Sequence, residues 1–300
     1  MYTSKFVETF PETKVYFDRS LSAFTYTQTG GPAELLIFPK RKLEAASILE
    51  WLKEQEIPVT ILGNASNVII RDGGIRGAVI MLNEMTDIHV EKNRIFVDGG
   101  VALIHTSQVA RDHHLTGLEF ACGIPGSVGG AVYMNAGAYG GEVEEVIEYV
   151  EVITPEGEFK RYYRSDLDFS YRHSRIQESG DLVIEVCFNL RFGNIDDIQS
   201  RMDELTQLRV SKQPLEYPSC GSVFKRPEGY FTGKLIQDAG IQGKQIGGAQ
   251  ISMKHAGFIV NIDKASATDY IDLIAFIQKT IFDLYGVRLE PEVRIIGEEI

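Results

Sequence analysis

The stretch from Ala121 to Gly141, ACGIPGSVGGAVYMNAGAYGG, carries seven glycines in twenty-one residues. Glycine at this density gives either a set of surface turns or a backbone bent into a cradle for a phosphate or a flat cofactor. It reads as an irregular segment inside a compact domain, which is unusual unless the segment has a function. A second loop, GNASN from Gly63 to Asn67, directly follows a strand pattern. Its small side chains leave successive backbone N–H groups open, and Ser66 and Asn67 add side-chain donors. A plain hairpin turn is the alternative for that loop taken alone. Two such loops in one domain point to a ligand long enough to need two cradles, such as a dinucleotide. No GxGxxG opens a helix here, so a Rossmann fingerprint is not supported.

A chain of 300 residues exceeds what one hydrophobic core comfortably serves, so two or three domains are expected. LEAASILEWLKEQ (Leu43 to Gln55) has apolar residues at helical spacing, and VTIL, VIIR and AVIML read as short strands after it. IHVEKNRIFVDGG reads as a hairpin with a Lys-Asn turn, so the first ninety residues are α/β with one helix and several strands. A helix over Val101 to His114 precedes the glycine-rich stretch. VIEYVEVITPEGEFKRYY is a second hairpin around Pro155-Glu156-Gly157, and LVIEVCFNLRF is another strand. IDDIQSRMDELTQLRVSK, from Ile195 to Lys212, has the three-and-four spacing of an amphipathic helix. The last ninety residues add a helix near Leu235, the strand FIVNI, a helix from Thr268 to Tyr285 ended by Gly286, and the strand VRIIG. The expected division is residues 1–90 and 91–205 as two α+β pieces of one cofactor domain, with 206–300 as a smaller α+β substrate domain.

The net charge of −12 argues against a nucleic-acid backbone as partner. No apolar run reaches membrane-spanning length, and the first residues lack a secretory h-region, so cytoplasmic residence is expected. Cys122, Cys187 and Cys220 are odd in number and widely spaced, as reduced thiols are, and form neither a disulfide framework nor a metal site. Cys220 falls in what reads as a Gly/Ser loop, which leaves open a reactive thiol. Arg209, Lys212, Lys225 and Arg226 make a local basic bias in an otherwise acidic chain.

Three further motifs carry chemistry. SYRHSR (Ser170 to Arg175) holds two arginines three apart that can clamp a carboxylate or phosphate, with a solvated polar loop as the alternative. SCGSVFKRP (Ser219 to Pro227) presents Ser222 after a glycine, outside any GxSxG elbow, so a hydrolase nucleophile is disfavoured. A serine hydroxyl can still protonate something as basic as an enolate. LEPEVRIIG places Glu292 and Arg294 on one face of a strand, with an exposed edge strand carrying an ion pair as the alternative.

In their order along the chain, GNASNVI, GIPGSVGGAVYMNAGAYGGE, SYRHSR, CGSVFKRP, KHAGFIVN and LEPEVRIIG resemble the UDP-N-acetylenolpyruvoylglucosamine reductase (MurB) family. The resemblance runs from about Phe24 to Gly297. It implies a vanillyl-alcohol-oxidase/PCMH-type FAD-binding module of two α+β subdomains followed by a substrate-binding domain. It assigns FAD contacts to Gly63, Asn64, Ala65, Ser66, Asn67, Ile124, Gly126, Gly129, Gly130, Tyr133 and Gly137, with Arg294 near the flavin. Arg172 and Glu292 match the pair flanking the enolpyruvyl group, and Ser222 matches the proton donor. Lys212, Lys225 and Arg226 match positions that meet the UDP diphosphate, and Tyr139 and Asn135 are cleft-lining candidates. Only fifty positions separate Arg172 from Ser222, so the chain resembles the shorter form of the family, without the extra tyrosine-bearing loop.

The chemistry implied is NADPH-dependent, FAD-mediated reduction of UDP-N-acetylglucosamine enolpyruvate to UDP-N-acetylmuramate, a peptidoglycan precursor, in a bacterial cytoplasm. Hydride goes to C3 of the enolpyruvyl group, the enolate is stabilised by Arg172 and by a Glu292 that is protonated or shares a hydrogen bond, and Ser222 protonates C2. A monomer is favoured. The rival readings are another FAD-dependent oxidoreductase of the same module and a non-redox nucleotide-sugar binding protein.

Overall fold

The helix read from Leu43 forms over Lys42–Glu54 in the computed structural model, which describes residues 2–300. Ala45, Ile48, Leu49 and Leu52 are its buried stripe, the three-and-four spacing that an amphipathic helix needs. The long C-terminal helix runs Ala267–Tyr285. Ser266 caps it by accepting the Asp269 N–H while the Asp269 side chain returns to the Ser266 N–H, and Gly286 at φ 69° ends it in the left-handed region. Both hairpins form where the alternation and turn residues place them, over Ile88–Glu91 with Arg94–Asp98 and over Ile147–Ile153 with Phe159–Tyr163.

One element was not legible. A helix over Tyr2–Thr9 stands where the sequence pattern gave the first ninety residues a single helix. It is too short for a period to register. It is held by Phe6, which is fully buried and packs against Phe10 and the edge of Trp51.

Two compact units result. The first comprises the chain through Phe17, Leu35–Asn64 and Gly77–Arg209. It holds the greater part of a four-stranded sheet, in the order Lys14–Ser20, Pro32–Phe38, Ile75–Met81, Val59–Leu62. A five-stranded sheet follows, in the order Phe159–Tyr163, Ile147–Ile153, Leu182–Asn189, Arg94–Asp98, Ile88–Glu91. One core gathers Phe6, Leu35, Ile37, Ile48, Leu52 and Ile80. The other gathers Ile95, Val97, Leu103, Val128, Val132 and Phe188, so the glycine-rich stretch is anchored by its few apolar residues.

The second unit joins Val210–Ile300 with two early segments, Asp18–Glu34 and Ala65–Arg76. The late break at Arg209 lies close to the expected boundary at 206, but chain order alone does not bring in the early segments. Backbone pairing does so. Val68–Ile70 pairs in parallel with Arg294–Ile296, flanked by the ion pairs Arg71–Glu299 (2.6 Å) and Arg76–Glu298 (2.9 Å). Asp72 adds a second tie by accepting the Ala267 and Thr268 N–H groups (both 2.9 Å) and the Thr268 hydroxyl (2.6 Å). The core of this unit is Ile69, Val223, Ile236, Ile251, Tyr270, Leu273 and Ile277. No helix among the described residues is long and apolar enough to cross a membrane.

Candidate functional site

The glycine-rich stretch is not irregular. It folds as a one-turn 3₁₀ helix (Glu119–Ala121), a helix over Val128–Tyr133, and a minimal hairpin of Gly137–Ala138 with Gly141–Glu142. Each element is two to six residues long, below the length at which a period can be read. Ser127 caps the helix through its hydroxyl, which accepts the Gly130 N–H at 3.3 Å. Gly129 is fixed from outside the stretch, since its N–H donates to Gly99 O at 2.8 Å. Sequence alone gave Gly99 and Gly100 no role. Cβ atoms there would lie 2.1 Å from Val183 O and 1.8 Å from Leu82 O, so only glycine fits this support.

Within the first unit the two glycine-bearing loops adjoin. A Cβ on Gly63 would lie 2.5 Å from Ser127 Oγ and 3.5 Å from Gly130 Cα. A Cβ on Gly130 itself would meet only Ser127 Oγ, at 3.4 Å. Its Cα therefore faces open space beside Gly63, the bare backbone that a dinucleotide needs in order to approach closely. These residues fit FAD. Ile124, Gly126 and Tyr133 are partly exposed around the same turn, as are Asn64 and Gly137. Asn64 Oδ1 accepts from Asn83 Nδ2 at 3.1 Å.

Arg172 also belongs to the first unit, and its surroundings are dense. Ser170 and His173 exchange backbone hydrogen bonds (3.2 and 3.1 Å) around a turn that puts Arg172 at φ 56°, a conformation unfavourable for a residue with a Cβ. Gln177 Nε2 donates to both Arg172 O (2.9 Å) and Tyr133 O (2.8 Å), and the buried Ser174 hydroxyl donates to Tyr133 O (2.9 Å). The guanidinium donates to Gly137 O at 3.3 Å and lies over the Tyr171 ring. The SYRHSR turn is thus tied to the end of the cradle helix and to the hairpin behind it. Asn135, expected to line the cleft, is instead fully buried: its amide donates to Ser170 O (3.1 Å) and Glu142 (3.0 Å), and its Oδ1 accepts the Glu144 N–H (3.1 Å). It is a brace for the Arg172 turn. Tyr139 is 39% exposed at the hairpin tip. His173 makes an ion pair with Glu178, whose hydrogen bond raises the imidazole above its ordinary range.

In the second unit, Ser222 ends the strand Ser219–Ser222. The pairing with Phe258–Asn261 slips between Ser219 and Ser222, and Gly221 at φ 78° takes up the slip. Such a bulge re-aims the side chain beside it, and Ser222 is exposed. Cys220, expected in a loop, lies within this strand and is buried; burial pushes its thiol up to about 12. A thiol so held is unreactive. Glu292 is not on a strand face with Arg294 either, because the strand begins at Arg294. Proline at 291 removes a donor there, and the Glu292 N–H instead reaches Val223 O at 2.7 Å. That bond sets Glu292 beside the Ser222 bulge.

The GNASN loop continues into this unit. Ala65 has φ 46°, and its carbonyl accepts the Tyr26 N–H at 3.3 Å. Asn67 Nδ2 donates to Glu292 O (3.3 Å), and Asn67 O accepts the Arg294 N–H (3.1 Å). Ser66 is half-buried beside it. Among the basic residues, Lys225 pairs loosely with Glu290 (3.4 Å), Arg226 stacks on Phe231 (3.9 Å to the ring centroid), and Lys212 is exposed at the end of its helix.

Similarity to known proteins covers the whole chain. A family profile described as an FAD binding domain matches residues 33–162, and one described as UDP-N-acetylenolpyruvoylglucosamine reductase, C-terminal domain, matches 213–296. The UDP-N-acetylenolpyruvoylglucosamine reductase of Pediococcus pentosaceus is 56% identical over 299 residues, covering 100% of both chains. That of Staphylococcus aureus is 52% identical over 288 residues, covering 96% of this chain and 94% of its own. The crystal structure of the Thermus caldophilus reductase superposes with a TM-score of 0.81 at 33% identity, covering 95% of this chain and 98% of that one. The chain belongs to the UDP-N-acetylenolpyruvoylglucosamine reductase family.

Proposed function

We propose that this chain uses NADPH and FAD to reduce the enolpyruvyl ether of UDP-N-acetylglucosamine to the lactyl ether of UDP-N-acetylmuramate, for peptidoglycan synthesis. The observation that carries the reading is the apposition of Gly63 with Ser127 and Gly130, which brings the backbone of two separate loops together. The loops at Gly63 and Ser127–Gly130 would hold FAD, which would supply the hydride chemistry between NADPH and C3 of the enolpyruvyl group. The rest of the reaction is the work of side chains. Residues 1–90 and 91–205 are taken as the two FAD-binding subdomains and 206–300 as the substrate domain; the separate profile matches over 33–162 and 213–296 support the late boundary alone.

Reduction at C3 leaves negative charge at C2, shared with the substrate carboxylate. Only contacts stronger with that charge than with the ground state speed the step. The Arg172 guanidinium is permanently cationic and has the planar fork that suits a carboxylate. The hydrogen bonds around its turn hold it ready, and a preorganised donor of this kind contributes about 3 kcal/mol. The Ser222 hydroxyl gives its proton to C2, completing addition of hydride and proton across the double bond. Glu292, fixed beside the Ser222 bulge, shares a hydrogen bond with the developing charge. Lys212, Lys225 and Arg226 take the diphosphate, and Tyr139 meets the nucleotide-sugar. Both nucleotides are cytoplasmic metabolites, and the three free cysteines suit that compartment. The chain acts there as a monomer, which sedimentation can check.

Purified protein tests the reading. It should be yellow and carry about one FAD per chain, and it should oxidise NADPH in the presence of the enolpyruvyl nucleotide. Colourless protein that binds the nucleotide would make it a non-redox binding module.

A further inference from the structure

We infer that Arg209 is an anion-recognition residue of the FAD site, an inference that rests on the proposed FAD cradle in the same unit. Arg209 lies near the end of the helix Ile195–Lys212 and closes the first unit. Its side chain packs onto the glycine-rich stretch. A Cβ on Gly123 would lie 2.7 Å from Arg209 Cδ, so glycine at 123 is what lets the side chain lie against the loop. Its titratable neighbours are Tyr139 and Cys122, a phenol and a thiol from the same stretch. No carboxylate pairs with the guanidinium among the described residues, and no acceptor takes a hydrogen bond from it.

That is a costly arrangement for a chain by itself. Half-buried Arg71 and exposed Arg76 and Arg94 each have a glutamate partner, whereas half-buried Arg209 has none. Burial pulls its guanidinium below the ordinary value, the direction expected when a cation loses water and gains no counter-charge. The guanidinium brings five N–H donors in a planar fork. A ligand anion lying over Cys122, Gly123 and Tyr139 satisfies both the charge and the donors.

FAD offers negative charge in two places, its diphosphate in every state and the pyrimidine edge of its ring once reduced. The chemistry is shared, and two measurements separate the sources. The full chain is purified as wild type, Arg209→Met and Arg209→Lys. FAD per chain is measured, along with the rate of FAD release on dilution, read as recovery of flavin fluorescence. The midpoint potential of the bound flavin is measured alongside. If the diphosphate is the partner, release from Arg209→Met is about tenfold faster or more, with Arg209→Lys between it and wild type. If the reduced ring is the partner, release of oxidised FAD is unchanged and the midpoint potential falls. Either result supports the inference.

Release within twofold of wild type, together with an unchanged potential, overturns it. The same holds where only the KM for the nucleotide-sugar rises, which assigns the guanidinium to the substrate. A melting temperature of Arg209→Met that stays depressed under saturating FAD also overturns it, by making the residue structural. A wild-type chain that binds no FAD sinks the cradle reading as well. A flavin-loaded wild type beside an unaffected Arg209→Met sinks this inference alone.

Discussion

Arg172 and Ser222 occupy opposite kinds of setting. Around Arg172 the backbone is locked: Gln177, Ser174, Asn135 and the Ser170–His173 turn hold it at φ 56°. Around Ser222 the chain is open, with the hydroxyl exposed at a bulge and nothing within 4 Å of the space a Cβ on Gly221 would fill. The contrast matches the two tasks. A charge that stabilises a transition state is worth most when it needs no reorganisation, while a proton donor has to be reachable by the atom it serves.

The largest effect expected from that contrast belongs to the open side. Ser222→Ala should slow reoxidation of the flavin by the enolpyruvyl nucleotide by about 10²–10⁴-fold, with reduction by NADPH nearly intact. Equal slowing of both half-reactions would make Ser222 structural. On the locked side, Gln177→Met removes the donor shared by Arg172 O and Tyr133 O. It should lower kcat by about tenfold, on the order of one lost hydrogen bond between buried groups, while FAD content holds. Gln177→Lys, which restores a donor, should recover part of the loss. FAD content falling in step with kcat would mean that the clamp serves the cradle and not the arginine.

Much of this was legible in sequence, and the exceptions share a cause. The long helices and hairpins announce themselves because their apolar residues repeat often enough to set a period. The helix Val128–Tyr133 and the hairpin Gly137–Glu142 do not, so a stretch with ordered elements read as irregular. The candidate residues came from motif resemblance, since nothing in SYRHSR taken alone distinguishes a clamp from a solvated loop. Gln177 and Asn135 were missed as braces because their partners are backbone carbonyls and neighbouring side chains that only the folded chain assembles. Cys220 read as a loop thiol because Gly221 and Ser222 look like loop residues. In the fold, Gly221 marks a strand bulge and leaves Cys220 pointing into the core. Gly99 carries no local signal of its contact with Val183 O.

Two smaller changes sharpen the same contrast. Gly130→Val should leave the fold intact, because its Cβ meets only Ser127 Oγ at 3.4 Å, yet lower FAD content, since the added side chain enters the cradle. Full flavin loading in that variant would contradict the cradle. Asp72→Asn changes neither motif and acts on the tie between the early segment and the C-terminal helix. Burial opposes ionisation of Asp72, but hydrogen bonds from Thr268 and the Ala267 and Thr268 backbone outweigh it and hold its carboxyl below the ordinary range. A depressed folded-state pKa contributes stability above the unfolded value, and that stability is lost as pH falls through the folded value. The variant should therefore lose about 1 kcal/mol near neutral pH, the typical worth of a helix cap. Its melting temperature should also fall less steeply than wild type between weakly and strongly acidic buffers. Parallel acid limbs would remove Asp72 from the tie.

The most direct test follows the flavin through both halves of the reaction without oxygen. NADPH is added first and the enolpyruvyl nucleotide second, while the visible flavin band is recorded. The band should bleach with NADPH and return with the nucleotide, with formation of UDP-N-acetylmuramate. A band that bleaches but does not return with the nucleotide would leave an FAD oxidoreductase of the same module acting on some other substrate, and would contradict the assignment of Ser222, Arg172 and Glu292.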